Sequence, residues 1–292
     1  MSIIEKAAGK LGQQKRPEPP SLENIHQEIP RQESIRQEIP QQEAAPETIA
    51  LRHDFSLAKL KSQNIITPQA EHSSLAEEFR MIKRPLLDNA FGQNSIKVKN
   101  GNLIMVTSSL PGEGKTFCSI NLAMSIAMEM GRTVLLVDAD APNPRLLKTL
   151  GVSYEQGLLD LLLDDKLQLS DVIIRTNIEN LSLLPAGRHN RHATELLASD
   201  SMSALLDDLA QRYSDRIILF DSPPLLVTSE ASVLASHMGQ IVMVVEAEKT
   251  PQPAVRQALT LIEDCELTWV LLNKTRHLAG VDHYGYGYYG KS

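Results

Sequence analysis

Cysteine is scarce in this chain of 292 residues, which holds only Cys118 and Cys265. Two thiols far apart in sequence exclude a disulfide framework and fit a reducing compartment. Cys118 falls in an apolar helical stretch, where a small core residue is expected. Long hydrophobic runs are missing as well. No apolar stretch reaches 18 residues, and the first residues lack the core of a signal peptide, so the expected location is cytoplasmic, with a membrane reached only through a partner. Nor is there a basic excess. A net charge of −7 and a pI near 5.7 give no footing for nucleic-acid binding. Aromatic residues make up 4% of the chain, so a place where several gather stands out.

What is present is unevenly spread. Six of the 16 prolines fall in the first 50 residues, where a ten-residue unit repeats imperfectly over 22–30 and 32–40, ending each time in Gln-Glu-Ile-Pro. Such a Gln/Glu/Pro tract buries too little apolar surface to order itself. Before it, Ile3, Ile4, Ala7, Ala8 and Leu11 share one helical face, opposite Lys6 and Lys10, which predicts a short amphipathic helix. The expected organisation is a short helix and disordered linker over 1–72, one globular domain over 73–278, and a flexible tail over 279–292. A hydrophobic content of 42% is enough for a sizeable core.

The domain opens on an informative segment. The apolar run Leu103-Ile104-Met105-Val106 leads into a turn ending Pro111-Gly112-Glu113-Gly114-Lys115-Thr116, and an apolar stretch with helical spacing follows over 118–130. Strand, glycine-rich turn and helix in that order form a phosphate loop. Its backbone N–H groups converge on a polyphosphate and the helix N-terminus favours negative charge. Lys115 adds a point charge, and the Thr116 hydroxyl is a ligand for Mg²⁺. ATP is the expected nucleotide, held by residues 111 to 117 from Pro111 to Phe117. Ser109 stands where the full motif has its first Gly.

Carboxylates should complete the site. Thr133 to Val137 reads as a buried parallel strand and ends in Asp138-Ala139-Asp140; Arg216 to Phe220 does the same and ends in Asp221. In open α/β sheets ligands gather beyond the carboxyl ends of strands, which puts Asp138 and Asp140 beside the phosphates, while Asp221, with its apolar approach, is expected to face magnesium and hold a Mg²⁺-bound water. Further strands over 240–245 and 268–272, separated by a helix over 252–263, continue the alternation. The fold class is therefore α/β, a mostly parallel sheet with helices on both faces. Asn273 falls just past a strand end, where it is a candidate reader of the adenine edge; a simple loop is the other reading.

With these motifs in hand, the segment from about Leu75 onward resembles the bacterial tyrosine kinases, built on the P-loop fold of Mrp/MinD-like ATPases, and most of all the exosortase-associated tyrosine autokinases of exopolysaccharide loci. The resemblance rests on the loop 111–116, on Leu135 to Asp140 and on Leu219 to Pro224. It implies that Lys115 and Thr116 bind phosphate and Mg²⁺, that Asp221 acts on the metal side, and that Asp140 with Asp138 helps to coordinate Mg²⁺ and activate the attacking tyrosine. The family's second motif continues to an Arg where Pro142 stands here, with Arg145 further on. Upstream, Glu77, Arg80 and Lys83 match the helix that packs one family subunit on the next in a ring, with Lys83 in place of an Arg whose bidentate fork it cannot supply. The family also implies a separate membrane protein of the polysaccharide co-polymerase type as activator, and a tyrosine phosphatase.

Four of the six tyrosines, Tyr284, Tyr286, Tyr288 and Tyr289, lie in the last nine residues, interleaved with Gly. No core explains that placement, whereas a flexible substrate segment phosphorylated by a neighbouring molecule does. A rival reading is a MinD/ParA-like switch ATPase. Its loop carries an extra Lys where Leu110 stands here, and no basic amphipathic helix closes this chain.

Overall fold

The computed structural model describes residues 51–70, 72–92, 98–212 and 215–276. The tail tyrosines and the amphipathic segment over 3–11 lie outside these residues. In chain order the elements are β1 (Arg52–His53), α1 (Leu57–Ser62), α2 (Ser74–Phe91), β2 (Leu103–Ser108), α3 (Lys115–Ala127), β3 (Thr133–Asp138), α4 (Leu146–Leu150), α5 (Leu158–Leu163), α6 (Leu169–Val172), β4 (Ile174–Thr176), β5 (Leu181–Leu184), α7 (Ala193–Leu197), α8 (Asp200–Arg212), β6 (Arg216–Asp221), α9 (Ser229–Ala235), β7 (Gln240–Glu246), α10 (Gln252–Thr260) and β8 (Thr268–Asn273).

The eight strands form one sheet in the order β1-β4-β5-β3-β6-β2-β7-β8. Every pairing is parallel except β4 with β5. The central strands β2, β3, β6 and β7 are buried at nearly every position, and apolar through their middles, because both faces are covered. Ile104, Val106, Val134 and Leu136 point into a core shared with α2 and α3. Their neighbours Leu103, Met105, Leu135 and Val137 point into a second core shared with α8 and α9.

Three features differ from the sequence reading. The core takes in residues before 73: Phe55, Leu60, Ile65 and Ile66 are buried in the first core. Asn121 on α3 holds the Ile66 N–H at 2.8 Å, and Asn177 brackets Phe55 through both its N–H and its carbonyl. The helix expected over 118–130 starts earlier, at Lys115, directly on Gly114. Strands β1, β4 and β5 extend the sheet on the side away from β8.

Gln240 ties three elements together from a fully buried position. Its Nε2 donates to the carbonyls of Leu86 at 3.0 Å and Gly101 at 2.6 Å. Its Oε1 accepts from Asn89 Nδ2 at 2.9 Å and Trp269 Nε1 at 3.4 Å.

Candidate nucleotide-binding and active site

Strand order builds the site. β6 lies between β3 and β2, so Asp221 is in register with Asp138 on one side and Val106 on the other. The loop after β2 thus rises beside both acidic strand ends. Gly112 and Gly114 take φ of 86° and 100°, a region that glycine occupies without steric cost. Gly114 caps α3 without any side-chain hydrogen bond, which leaves the first N–H groups of the helix to an anion.

The loop borders a cleft of ≈ 540 Å³ lined by Pro111, Gly112, Gly114, Lys115, Thr116, Phe117 and Asp140. Lys115 Nζ donates to Asp140 Oδ2 at 2.7 Å, and both side chains are largely buried. Pro142 and Arg145 line the same cleft. With the Asn143 amide turned so that its oxygen faces Arg145, Asn143 accepts from Arg145 Nε at 2.9 Å and Nη2 at 3.2 Å. An arginine therefore reaches the cleft from three residues further along the chain.

Asp221 and Asp138 stand behind this layer, both fully buried. Asp221 Oδ1 lies 3.0 Å from Ser119 Oγ, while Oδ2 has no hydrogen-bond partner among the described residues. Burial raises the Asp221 pKa to about 6, against the opposing influence of the Lys115 charge and the Thr116 and Ser119 hydroxyls. Asp138 accepts the N–H groups of Asp140 at 3.3 Å and Leu146 at 3.2 Å, one on each oxygen. Burial, and then the charge of Asp221, raise its pKa to about 8. Its carboxyl thus shapes the turn that carries Asp140 and does not line the cleft. Cys118 is buried, and burial together with Asp221 pushes its thiol up to about 12, as suits a core residue.

Two residues expected at the nucleotide have their side chains engaged within the protein. Glu113 is 2% exposed, and its carboxylate accepts the Leu110 N–H at 2.7 Å and the Thr250 hydroxyl. Asn273 spends its Nδ2 on the Glu113 carbonyl at 2.8 Å. Sequence reasoning missed Ser119, although it sits one helical turn after Lys115, and missed Thr250, Glu246 and Lys274, for which no local motif exists.

The helix expected to join subunits is also different in detail. Glu77 and Arg80 pair along α2. Lys83 is 5% exposed and is spent inside its own chain, donating to the Ser125 carbonyl at 2.6 Å and pairing with Glu129 at 2.7 Å. It belongs to the contact between α2 and α3 and not to an outer surface.

Fold and site together define a P-loop α/β nucleotide-binding protein. Residues 101–274 match the family model described as AAA domain. EpsB of Ralstonia nicotianae, named as a candidate tyrosine-protein kinase, is 32% identical over 197 residues, covering 67% of this chain and 25% of that protein. CapB of Staphylococcus aureus, named likewise, is 30% identical over 207 residues, 69% of this chain and 86% of CapB. The crystal structure of the chimerical protein CapA2B2 superposes with a TM-score of 0.63 at 28% identity, over 77% of this chain and 94% of that one. The chain belongs to the bacterial tyrosine-protein kinases. It spans about a quarter of the length of EpsB.

Proposed function

We propose that this chain is an ATP-dependent protein-tyrosine autokinase that phosphorylates Tyr284, Tyr286, Tyr288 and Tyr289 of a neighbouring copy. The observation that carries the reading is the Lys115–Asp140 pair in the lining of the cleft, 2.7 Å apart, with an Asp221 oxygen that has no partner among the described residues buried nearby. A lysine held by a carboxylate is already desolvated and aimed, and a bound triphosphate offers it a stronger partner. As Lys115 moves to the phosphates, Asp140 is freed to act as a base.

The chemistry then needs positioning more than new bonds from the protein. The phenol oxygen attacks the γ-phosphorus in line, the bond from that phosphorus to the bridging oxygen breaks, and ADP leaves. A phenol has a pKa of about 10, so its proton needs an acceptor, and Asp140 takes it. The unpartnered Asp221 Oδ2, the Thr116 hydroxyl and Asp140 are hard oxygen donors that fit Mg²⁺. Magnesium bound there would neutralise phosphate charge.

In this reading the protein works at the inner face of a membrane through a polysaccharide co-polymerase. Its phosphorylation state, reversed by a tyrosine phosphatase, regulates exopolysaccharide chain length and export. The test is incubation of the full chain with γ-labelled ATP and Mg²⁺, beside Lys115→Met and a truncation before Tyr284. Label on the tail tyrosines, reduced on the order of a hundredfold in Lys115→Met, is expected. ATP hydrolysis with no phosphotyrosine would overturn the proposal in favour of the switch ATPase.

A further inference from the structure

A trans peptide group is planar, so a carbonyl and the N–H of the following residue point in opposite directions. Whatever grips the carbonyl also aims the N–H. At the apex of the phosphate loop two consecutive carbonyls are gripped from the same side. Lys274 Nζ donates to the Gly112 carbonyl at 2.7 Å, and Asn273 Nδ2 donates to the Glu113 carbonyl at 2.8 Å. The N–H groups that follow, those of Glu113 and Gly114, are thereby turned away from β8. Neither donates to a protein acceptor among the described residues.

The approach is close enough to depend on glycine. A Cβ built on Gly114 would lie 2.1 Å from Asn273 Nδ2. The gripping side chains are themselves held. Glu246 Oε2 pairs with Lys274 at 3.1 Å and with Lys249 at 3.1 Å. On the loop's own side, the buried Glu113 carboxylate closes the turn through the Leu110 N–H and the Thr250 hydroxyl.

We infer that Asn273 and Lys274 are positioning residues that act on the triphosphate through the loop, by fixing the direction of the Glu113 and Gly114 N–H groups, and do not read the base. The inference rests on the nucleotide occupying this cleft. It makes the end of β8 part of the phosphate site, although no atom of either side chain needs to touch ligand.

Calorimetric titration of the full chain with ATP, GTP and inorganic tripolyphosphate separates the roles. Asn273→Ala and Lys274→Met should each weaken all three ligands by about tenfold, with the ATP-to-GTP affinity ratio unchanged, because every ligand shares the phosphates. Lys274→Arg, which keeps a donor, should lose less. Weakening confined to ATP would overturn the inference in favour of base reading, and unchanged binding of all three would overturn it outright. Lys274 is half-exposed, so its Met variant decides the matter should Asn273→Ala unfold. A wild-type chain that binds none of the three would instead refute the nucleotide reading on which this rests.

Discussion

Gln240 is a polar residue in a place where the chain could have put a hydrophobe, and it earns that place through four hydrogen bonds linking β7 to α2, β8 and the turn before β2. Gln240→Leu keeps the volume but leaves the Gly101 carbonyl without its Gln240 donor, removes a second donor from the Leu86 carbonyl within α2, and takes the acceptor from Asn89 Nδ2 and Trp269 Nε1. Buried groups left unsatisfied cost 1–3 kcal/mol each, so a loss of about 2–4 kcal/mol is expected in urea unfolding, with the slope of the transition unchanged. A loss under about 0.5 kcal/mol would mean that water replaces the amide. Nothing in the sequence marks this role, since a Gln at the start of an apolar run reads as a strand boundary. The gathering of Lys115, Thr116 and Asp140 around one cleft, with Asp221 buried behind it, was legible because the loop and the two acids each follow an apolar run that announces a strand. The inward turn of Glu113 was not, because a glycine-rich loop has no periodicity from which a side chain's direction follows.

Between elements, the contact of α2 with α3 carries an ion pair whose pH dependence can be stated. The hydrogen bond from Lys83 is the main cause holding the Glu129 carboxyl below its ordinary 4.5. A lowered folded pKa means stabilisation that is present above the unfolded value and lost as pH falls through the folded one. Lys83→Met should therefore cost about 1 kcal/mol at pH 7 and less below pH 4, flattening the acid side of the stability profile. An equal cost at both pH values would place the effect in packing alone. Elements with continuous apolar runs, β2, β3, β6, β7 and β8, were readable from the chain. Strands β1, β4 and β5 were not: they run two to four residues and include Arg52, Arg175 and Thr176. Residues 51–70 were hidden for a related reason, because a short stretch with Lys59, Lys61 and Gln63 resembles in composition the Gln/Glu-rich sequence before it until Asn121 and Asn177 are seen to hold its backbone.

For the molecule as a whole, charge governs the proposed assembly. Each phosphate adds roughly −1.5 to −2 charges, and several on one short tail would repel one another and a body that already carries −7. Phosphorylation of the full chain should lower its mass in light scattering, and an unchanged oligomer would remove charge repulsion as the means of release. Among the described residues no helix is long and apolar enough to cross a membrane. The order of strands has a further consequence for how the protein is made. β2, which carries the phosphate loop, lies between β6 and β7, both contributed from beyond residue 215. A chain emerging from the ribosome holds this strand with no neighbour until Asp221 has been added and with only one until Glu246 follows. The loop's outer supports, Asn273 and Lys274, arrive later still. Nucleotide can therefore act as a ligand of the finished sheet but not as a template for its early synthesis, because both strands that flank the loop-bearing strand come late in the chain.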